Sequence, residues 1–145
     1  MPDSASCFLA LDVGDKTIGV AVSDSLGWTA PVVTVLRRDI EQDLGRLRAL
    51  VEEHRPSRLV VGLPLNMDDS EGPRAAKARR FAQVAGERLG LPVILWDERL
   101  STFEADQRLQ EAGVPAHKRK AVIDMVAAQV ILESYLASGA PEVGL

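Results

Sequence analysis

Short apolar runs occur at five places along the chain and predict five β-strands. The first run is residues 7–13. The next two runs are Thr17–Ser23 and residues 32–36, and both are rich in β-branched residues. Because the break between the first two runs is too short for a crossover, these strands are predicted to pair antiparallel. The last two predicted strands are residues 59–63 and 92–96.

Apolar residues at spacings of three and four predict the helices. One helix is predicted over Ile40–His54, before Arg55-Pro56, and a second over Pro73–Leu89, closed by Gly90. Thr102 is predicted to cap a helix that runs to residue 112, and Pro115 is predicted to open the last helix. The segment between the fourth strand and the second helix, residues 64–72, is a polar loop.

Three meandering strands followed by alternating helices and strands define an α/β fold. Right-handed crossovers place strand four beside strand one, and strand five beside strand four. The prediction is a ribonuclease H-like fold, a mixed five-stranded sheet of order 3-2-1-4-5 with helices on both faces. Residues 1–145 are expected to form one domain, with residues 139–145 flexible.

Composition narrows the possible functions. The single cysteine, Cys7, excludes an intramolecular disulfide and a multi-cysteine zinc site. No apolar stretch approaches the roughly 20 residues that span a bilayer, and residues 1–4 do not begin a secretory leader. We therefore expect a cytoplasmic protein without a membrane partner. The net charge of −4 gives no overall signal for a nucleic-acid partner, but basic residues cluster locally.

Three acidic residues are candidates for a divalent-metal site. Asp12 ends the first strand, Glu98 follows the fifth, and Asp124 falls on the apolar arc of the last helix. Carboxylates are suitable ligands for Mg²⁺ or Mn²⁺, and two such ions can support hydrolysis of a phosphodiester. Structural explanations are also open: Asp12 could cap the following turn, and Lys120 could form an ion pair with Asp124.

Glu98 lies two strand spacings from Asp12 in the proposed order, so only a long side chain angled inward could share a metal with it. Asp97 points to the opposite face by strand alternation. It is expected to cap the residues that follow or to pair with a basic residue.

Polar and basic side chains are expected to bind nucleic acid beside the acids. They lie in the first hairpin, in the loop after strand four, after strand five and at the start of the last helix. The candidates are Lys16, Asn66, Ser70, Arg74, Arg99, Ser101, Lys118 and Arg119.

Four motifs in the same order resemble the bacterial YqgF, or RuvX, family. They are residues 11–14 with 18–24, residues 61–68 with 70–72, residues 97–102, and residues 124–129 with 131–132. Members are described as Holliday junction resolvases and as nucleases that mature the 5′ end of 16S ribosomal RNA. The resemblance implies a ribonuclease H-like fold, a metal-dependent nuclease site and a cytoplasmic location, with Asp12, Glu98 and Asp124 in the acidic positions.

Two departures from related patterns affect the site. The family commonly has a basic residue after the hairpin lysine, whereas Thr17 follows Lys16 here. RuvC-type resolvases carry a glutamate after the fourth strand and a second acid on the last helix. Here the fourth strand ends at Leu63-Pro64, so Glu98 would act as a substitute from a neighbouring strand.

Three functions follow from these patterns. The first is a metal-dependent endonuclease for structured nucleic acid, either branched DNA or precursor ribosomal RNA, and symmetric cutting of a junction would require a homodimer. The second is a non-catalytic RNA-binding or transcription-complex-binding module of the same fold. The third is an ATP-binding domain of the actin and sugar-kinase type, because residues 12–14 leading into residues 19–21 look like a phosphate loop.

Overall fold

The computed structural model describes residues 7–145, so the expectation about residues 1–4 lies outside the described part. The described residues form five strands and four helices. In chain order these are β1 (Phe8–Val13), β2 (Thr17–Ser23), β3 (Thr29–Leu36), α1 (Ile40–His54), β4 (Arg58–Leu63), α2 (Pro73–Leu89), β5 (Val93–Asp97), α3 (Ser101–Glu111) and α4 (Ala116–Ala137).

The strands form one mixed sheet in the order β3-β2-β1-β4-β5, which confirms the predicted topology. β1, β2 and β3 pair antiparallel in a meander, whereas β4 pairs parallel with both β1 and β5. The central position of β1 explains its continuous apolar sequence, because a strand covered on both faces buries nearly every side chain.

Helices cover both faces of the sheet. On one face, Leu9 and Leu11 of β1 belong to a core that includes Leu44 of α1 and Phe81 of α2. On the other face, alternate residues of β1 pack against α4 in a core that contains Tyr135. α3 packs against α4 rather than against the sheet. The side chain of Asp12 alternates with that of Leu11 and so lies on the α4 face.

The starts of β3 and α3 differ from the predicted ones. β3 begins at Thr29, three residues earlier than predicted, and includes Pro31. An edge strand accepts proline because one side of its backbone has no partner strand. α3 begins at Ser101 after Leu100, with no side-chain hydrogen bond at the cap, so the prediction that Thr102 caps this helix was wrong.

The C-terminal residues make backbone contacts with the sheet and with Arg58. The backbone amide of Leu145 donates a hydrogen bond to the carbonyl of Leu95, 2.9 Å away, and Arg58 donates to the carbonyl of Ala140, 3.1 Å away. The tail pairs here because β5 is an edge strand with free backbone groups. None of the described helices is long and apolar enough to cross a membrane.

Candidate active site

The β1–β2 hairpin and α4 place Asp12 and Asp124 near one another. Asp12 pairs with Gly19 across the hairpin. The backbone of α4 at Asp124 lies directly against Gly19, where a Cβ would overlap the Asp124 carbonyl and would lie 2.7 Å from the Met125 nitrogen. A glycine in a strand permits this close approach because it has no side chain. The helix therefore brings its carboxylate to the end of the central strand.

A second glycine allows Glu98 to extend toward the same place. Glu98 follows β5 at the sheet edge, and β4 lies between it and Asp12. A Cβ added at Gly62 of β4 would lie 2.6 Å from Cγ of Glu98, so the glutamate side chain crosses β4 at the position without a side chain. The Glu98 side chain is buried, and Ser101 donates a hydrogen bond of 2.5 Å to its Oε2.

Glu98 and Asp124 are close enough to Asp12 to raise its pKa. Burial is the largest cause that raises the pKa of Asp12, followed by repulsion from Glu98 and then from Asp124. Arg74 lowers this pKa in part, and its value is about 7. Burial also raises the pKa of Glu98, against the hydrogen bond from Ser101 and the charge of Arg74. The site therefore resists negative charge at neutral pH unless a cation compensates it.

The structural explanations considered for these acids are not observed. Within residues 7–145, the Asp12 carboxylate accepts no hydrogen bond, so it does not cap the turn after β1. Asp124 accepts a short hydrogen bond from the Thr17 hydroxyl, and no ion pair joins it to Lys120 in this part of the chain. Thr17, which stands where the family commonly has a basic residue, instead positions an acid.

The chemistry of these residues fits a hard divalent cation. All three acids offer oxygen ligands, and Asp12 is a buried carboxylate that receives no hydrogen bond from the described residues. However, among the described residues no group of three or more His, Cys, Asp or Glu side chains is close enough to hold a metal ion. Thr17 and Ser101 hold two of the acids through hydrogen bonds, and these bonds would compete with a metal.

Some of the predicted basic residues form no ion pair among residues 7–145, and one of them lies near the acids. Arg74, in the first turn of α2, is exposed and lowers the pKa of both Asp12 and Glu98. Lys16, in the hairpin turn, and Lys118, in the first turn of α4, are also exposed. None of these three side chains forms an ion pair within residues 7–145. Their charges are therefore free to attract an anion.

Other predicted nucleic-acid contacts have internal partners that the sequence did not reveal. The Arg99 guanidinium pairs with Asp97 at 2.8 Å and with Asp69 at 2.6 Å, and both carboxylates raise its pKa. Arg119 pairs with Asp106 at 2.9 Å, which joins α4 to α3. The expectation that Asp97 interacts with a following basic residue is thus confirmed, but Arg99 and Arg119 carry compensated charges.

The polar residues of the β4–α2 loop stabilise that loop. Asn66 donates a side-chain hydrogen bond to the Ser70 hydroxyl at 2.9 Å, and Ser70 donates to Asp68. Arg99 also donates to the carbonyl of Met67 and so connects this loop to the β5–α3 junction. Both segments at the carboxyl ends of β4 and β5 are therefore held together next to Glu98.

Sequence reasoning missed the two glycines on which the site depends. Gly19 and Gly62 each interrupt a run of β-branched or apolar residues. A glycine inside a strand pattern is a known signal of close backbone approach, and this signal was present. The sequence also did not reveal that Ser101 holds Glu98, because this hydrogen bond depends on where α3 starts.

Solved structures with the same fold include RuvC of Thermus thermophilus. The structure described as T. thermophilus RuvC in complex with a Holliday junction substrate aligns with a TM-score of 0.54 and 16% identity, over 92% of this chain and 96% of that chain. A second RuvC structure from Thermus thermophilus gives a TM-score of 0.52 over the same shares. The fold is therefore the RuvC-like form of the ribonuclease H fold.

The family follows from closer relatives. The model of the RuvX family, described as Holliday junction resolvase, matches residues 6–138, and the chain belongs to this family. A protein of Desulforamulus reducens is 50% identical over 91% of this chain and 97% of its own length. One of Myxococcus xanthus is 52% identical over 92% and 89%. Both relatives carry the name "Putative pre-16S rRNA nuclease".

Proposed function

We propose that this protein is a metal-dependent endonuclease that hydrolyses phosphodiester bonds in structured nucleic acid. The observation that carries the proposal is the buried Asp12 carboxyl group, whose pKa is raised to about 7 first by burial and then by the nearby charges of Glu98 and Asp124. A carboxyl group buried beside two other acids is costly to ionise, and a bound cation would relieve that cost. Membership of the RuvX family supports the same activity.

Asp12, Glu98 and Asp124 are the residues that would hold Mg²⁺ or Mn²⁺. When bound, such an ion neutralises phosphate charge and lowers the pKa of a water molecule. The exposed charges of Arg74 and Lys16 would attract and orient the phosphate beside the acids. The nucleophile would be water, without a covalent intermediate on the protein. Lys118, Asn66 and Ser70 are proposed to extend the nucleic-acid contact from the neighbouring α4 and the β4–α2 loop.

The names of the relatives and of the RuvC structure suggest two substrates, precursor 16S ribosomal RNA and Holliday junction DNA. A substrate panel tests the proposal: 5′-extended 16S RNA, four-way junction DNA and flap DNA, each with Mg²⁺, with Mn²⁺ and with EDTA. We expect cleavage of at least one substrate with a divalent ion and none with EDTA. Cleavage of a junction at symmetric positions would further require a homodimer, which analytical ultracentrifugation with the junction would detect.

Variants distinguish this activity from a contaminating nuclease. Asp12→Asn, Asp124→Asn and Glu98→Gln should each abolish cleavage. The control is Glu104→Gln, because Glu104 is a nearby exposed acid that pairs with Arg108 at 3.1 Å. Cleavage that persists in both Asp12→Asn and Asp124→Asn would contradict the proposed site. A readout besides cleavage is the melting temperature, which Mn²⁺ should raise in the wild type and not in Asp12→Asn.

One observation favours a non-catalytic binding module as the second candidate. Thr17 and Ser101 hold Asp124 and Glu98 by hydrogen bonds, as expected if these acids stabilise the fold. In that case the wild type would bind RNA or junction DNA but cleave neither with either metal, and Asp12→Asn would bind equally. The third candidate, an ATP-binding domain, requires measurable ATP binding at equilibrium.

A further inference from the structure

An open groove of about 460 Å³ lies between the β3–α1 junction and α2. Four basic residues line it, and the acidic residue among its lining is Asp15. The basic residues are Arg37, Arg38, Lys77 and Arg80. We call this feature the basic groove. A local excess of positive charge on a protein of net charge −4 is typical of a surface that binds a polyanion.

Half of the basic charge in the groove is uncompensated. Arg37 pairs with Asp43 at 3.3 Å, and Lys77 pairs with Asp15 at 3.2 Å. The exposed side chains of Arg38 and Arg80 form no ion pair with any residue in the described range 7–145. These two guanidinium groups therefore have their hydrogen-bond donors available for a ligand.

The neighbouring arginines of α2 outside the groove show the opposite arrangement. Arg79 forms two hydrogen bonds to Glu71, and Arg88 forms two to Glu41. Both therefore have carboxylate partners, although 45% of each arginine side chain is exposed. On the same helix, Arg80 in the groove is thus available to a ligand, whereas Arg79 and Arg88 outside it are paired.

A row of basic residues connects the groove to the acidic site. Arg74, Lys77 and Arg80 recur every third residue on α2 and so follow one side of the helix. Arg74 lies near enough to the acids to lower the pKa of Asp12. Six residues of helix span about 9 Å, which corresponds to about two to three phosphates at the spacing of one strand in a duplex.

Three of the eight residues that line the groove are apolar, and they suit the sugars of a nucleic-acid strand. The Arg37 guanidinium covers the ring of Phe81, with its carbon 5.1 Å from the ring centroid. Val84 and Ile40 expose 36% and 40% of their surface in the same lining. Guanidinium groups beside apolar side chains can contact phosphates while the sugars cover the apolar surface.

We propose that the basic groove binds the sugar–phosphate backbone of the substrate strand about two to three nucleotides from the bond that is cut. Arg38 and Arg80 contact phosphates directly, and Arg74 and Lys77 lie on the path between them and Asp12. This assignment rests on the proposed function, because it places a second contact on the same substrate strand. The groove contributes affinity and register, and the acids perform the cleavage.

Two double variants with the same change in charge test the groove. Arg38→Gln with Arg80→Gln removes the uncompensated pair, and Arg79→Gln with Arg88→Gln removes two compensated charges. Binding of 5′-extended RNA and junction DNA is measured by fluorescence anisotropy in EDTA at several NaCl concentrations, so that no cleavage occurs. Circular dichroism and thermal unfolding establish that both variants are folded.

The groove variant is expected to bind about tenfold more weakly than the wild type, and the slope of log K against log salt should fall by about 1.5, as for the loss of two phosphate contacts. The control variant should bind within about twofold of the wild type, because its charges are already neutralised. Equal affinity of the two double variants would overturn the proposal. So would an unchanged salt slope in the groove variant.

The length of the substrate gives an independent readout. Removing the nucleotides that occupy the groove should abolish the difference in affinity between the wild type and the groove variant. Removing nucleotides on the opposite side of the cleaved bond should leave this difference unchanged. If the groove variant binds as the wild type does while the wild type cleaves, the groove assignment fails and the nuclease survives. If the groove results hold and no substrate is cleaved, the nuclease proposal fails and the groove is a binding surface.

Discussion

Gly19 lies directly against the backbone of Asp124, and this contact places the carboxylate of α4 beside Asp12. The contact explains why a helix with an acid on its apolar side can pack on the sheet. The approach is limited by the backbone rather than by flexible side chains, so it tolerates little change.

Replacing Gly19 with alanine is expected to destabilise the protein. The new Cβ would overlap the carbonyl of Asp124 and force α4 away from β2, at a cost of at least about 2 kcal/mol in the free energy of unfolding. Urea denaturation measures this change. Gly45→Ala is the control, because a Cβ there meets no atom within 4 Å in the middle of α1.

The control should be stabilised by about 0.5–1 kcal/mol, since alanine favours a helix more than glycine does. Wild-type stability in Gly19→Ala would show that α4 can move without cost. That result would contradict the view that the β2–α4 contact determines the position of Asp124.

Gly62→Ala is expected to lower the rate of substrate cleavage strongly, beyond what its loss of stability would explain. The new Cβ would lie 2.6 Å from Cγ of Glu98 and 2.6 Å from Cδ1 of Ile131, so the glutamate must leave its position over β4. Displacing a group in the site by about 1 Å can lower the rate by about a hundredfold, and we expect at least a tenfold loss. The rate of substrate cleavage at saturating metal measures it.

Gly86→Ala is a matched control for Gly62→Ala. A Cβ at Gly86 would be similarly close to a side chain, 2.7 Å from Cγ2 of Val93, but on the face of the sheet away from the acids. Both variants should lose about 1–3 kcal/mol of stability, and only Gly62→Ala should lose activity. Equal rates in the two variants would show that Glu98 does not need this position.

Stability should depend on pH through Asp12. Its pKa is raised from 3.8 to about 7 by burial and by the neighbouring acids. Below about pH 4 both folded and unfolded chains hold the proton; between pH 4 and 7 only the folded chain does. The contribution of Asp12 to the free energy of unfolding is therefore present at low pH and is lost as pH rises to 7. This loss is at most about 4 kcal/mol.

Asp12→Asn should remove this dependence. Urea denaturation in EDTA at pH 4.5, 6 and 8 is expected to show a growing advantage of the variant over the wild type as pH increases. The comparison uses both proteins at each pH, so that other titrating groups cancel. A constant difference in the free energy of unfolding across this pH range would mean that the ionised Asp12 carboxylate does not destabilise the fold.

Arg119 and Lys118 should have separable roles although they are adjacent. Arg119→Gln removes the ion pair with Asp106 and a hydrogen bond to the Val114 carbonyl, so it should cost about 1 kcal/mol of stability with little effect on binding. Lys118 is exposed, so Lys118→Gln should lower the slope of log K against log salt by about 0.7–0.9 and leave stability unchanged.

Thermal unfolding and salt-dependent nucleic-acid binding of the two variants provide the measurement. The same loss of binding in both would indicate that Arg119 exchanges Asp106 for phosphate. A loss of stability in Lys118→Gln would reveal a structural contact of that lysine.

Sequence patterns were enough to predict the strands and helices, their order in the sheet and the candidate acids. The bounds of β2, α1 and α2 are confirmed because each has strong local signals: β-branched alternation, a regular apolar period, or a proline start and glycine end. The sheet order is confirmed because short connections and right-handed crossovers allow few alternatives.

The partners of individual side chains could be identified only from the folded structure. Arg99, Ser101 and Arg119 have the chemistry of phosphate ligands, yet their partners are Asp97, Glu98 and Asp106. Local sequence cannot distinguish these roles, because each depends on which element packs nearby. The same holds for the distance from Glu98 to Asp12, which depends on the absence of a side chain at Gly62 on the strand between them. Residue types define what a site can do, and packing across the chain decides which of them meet.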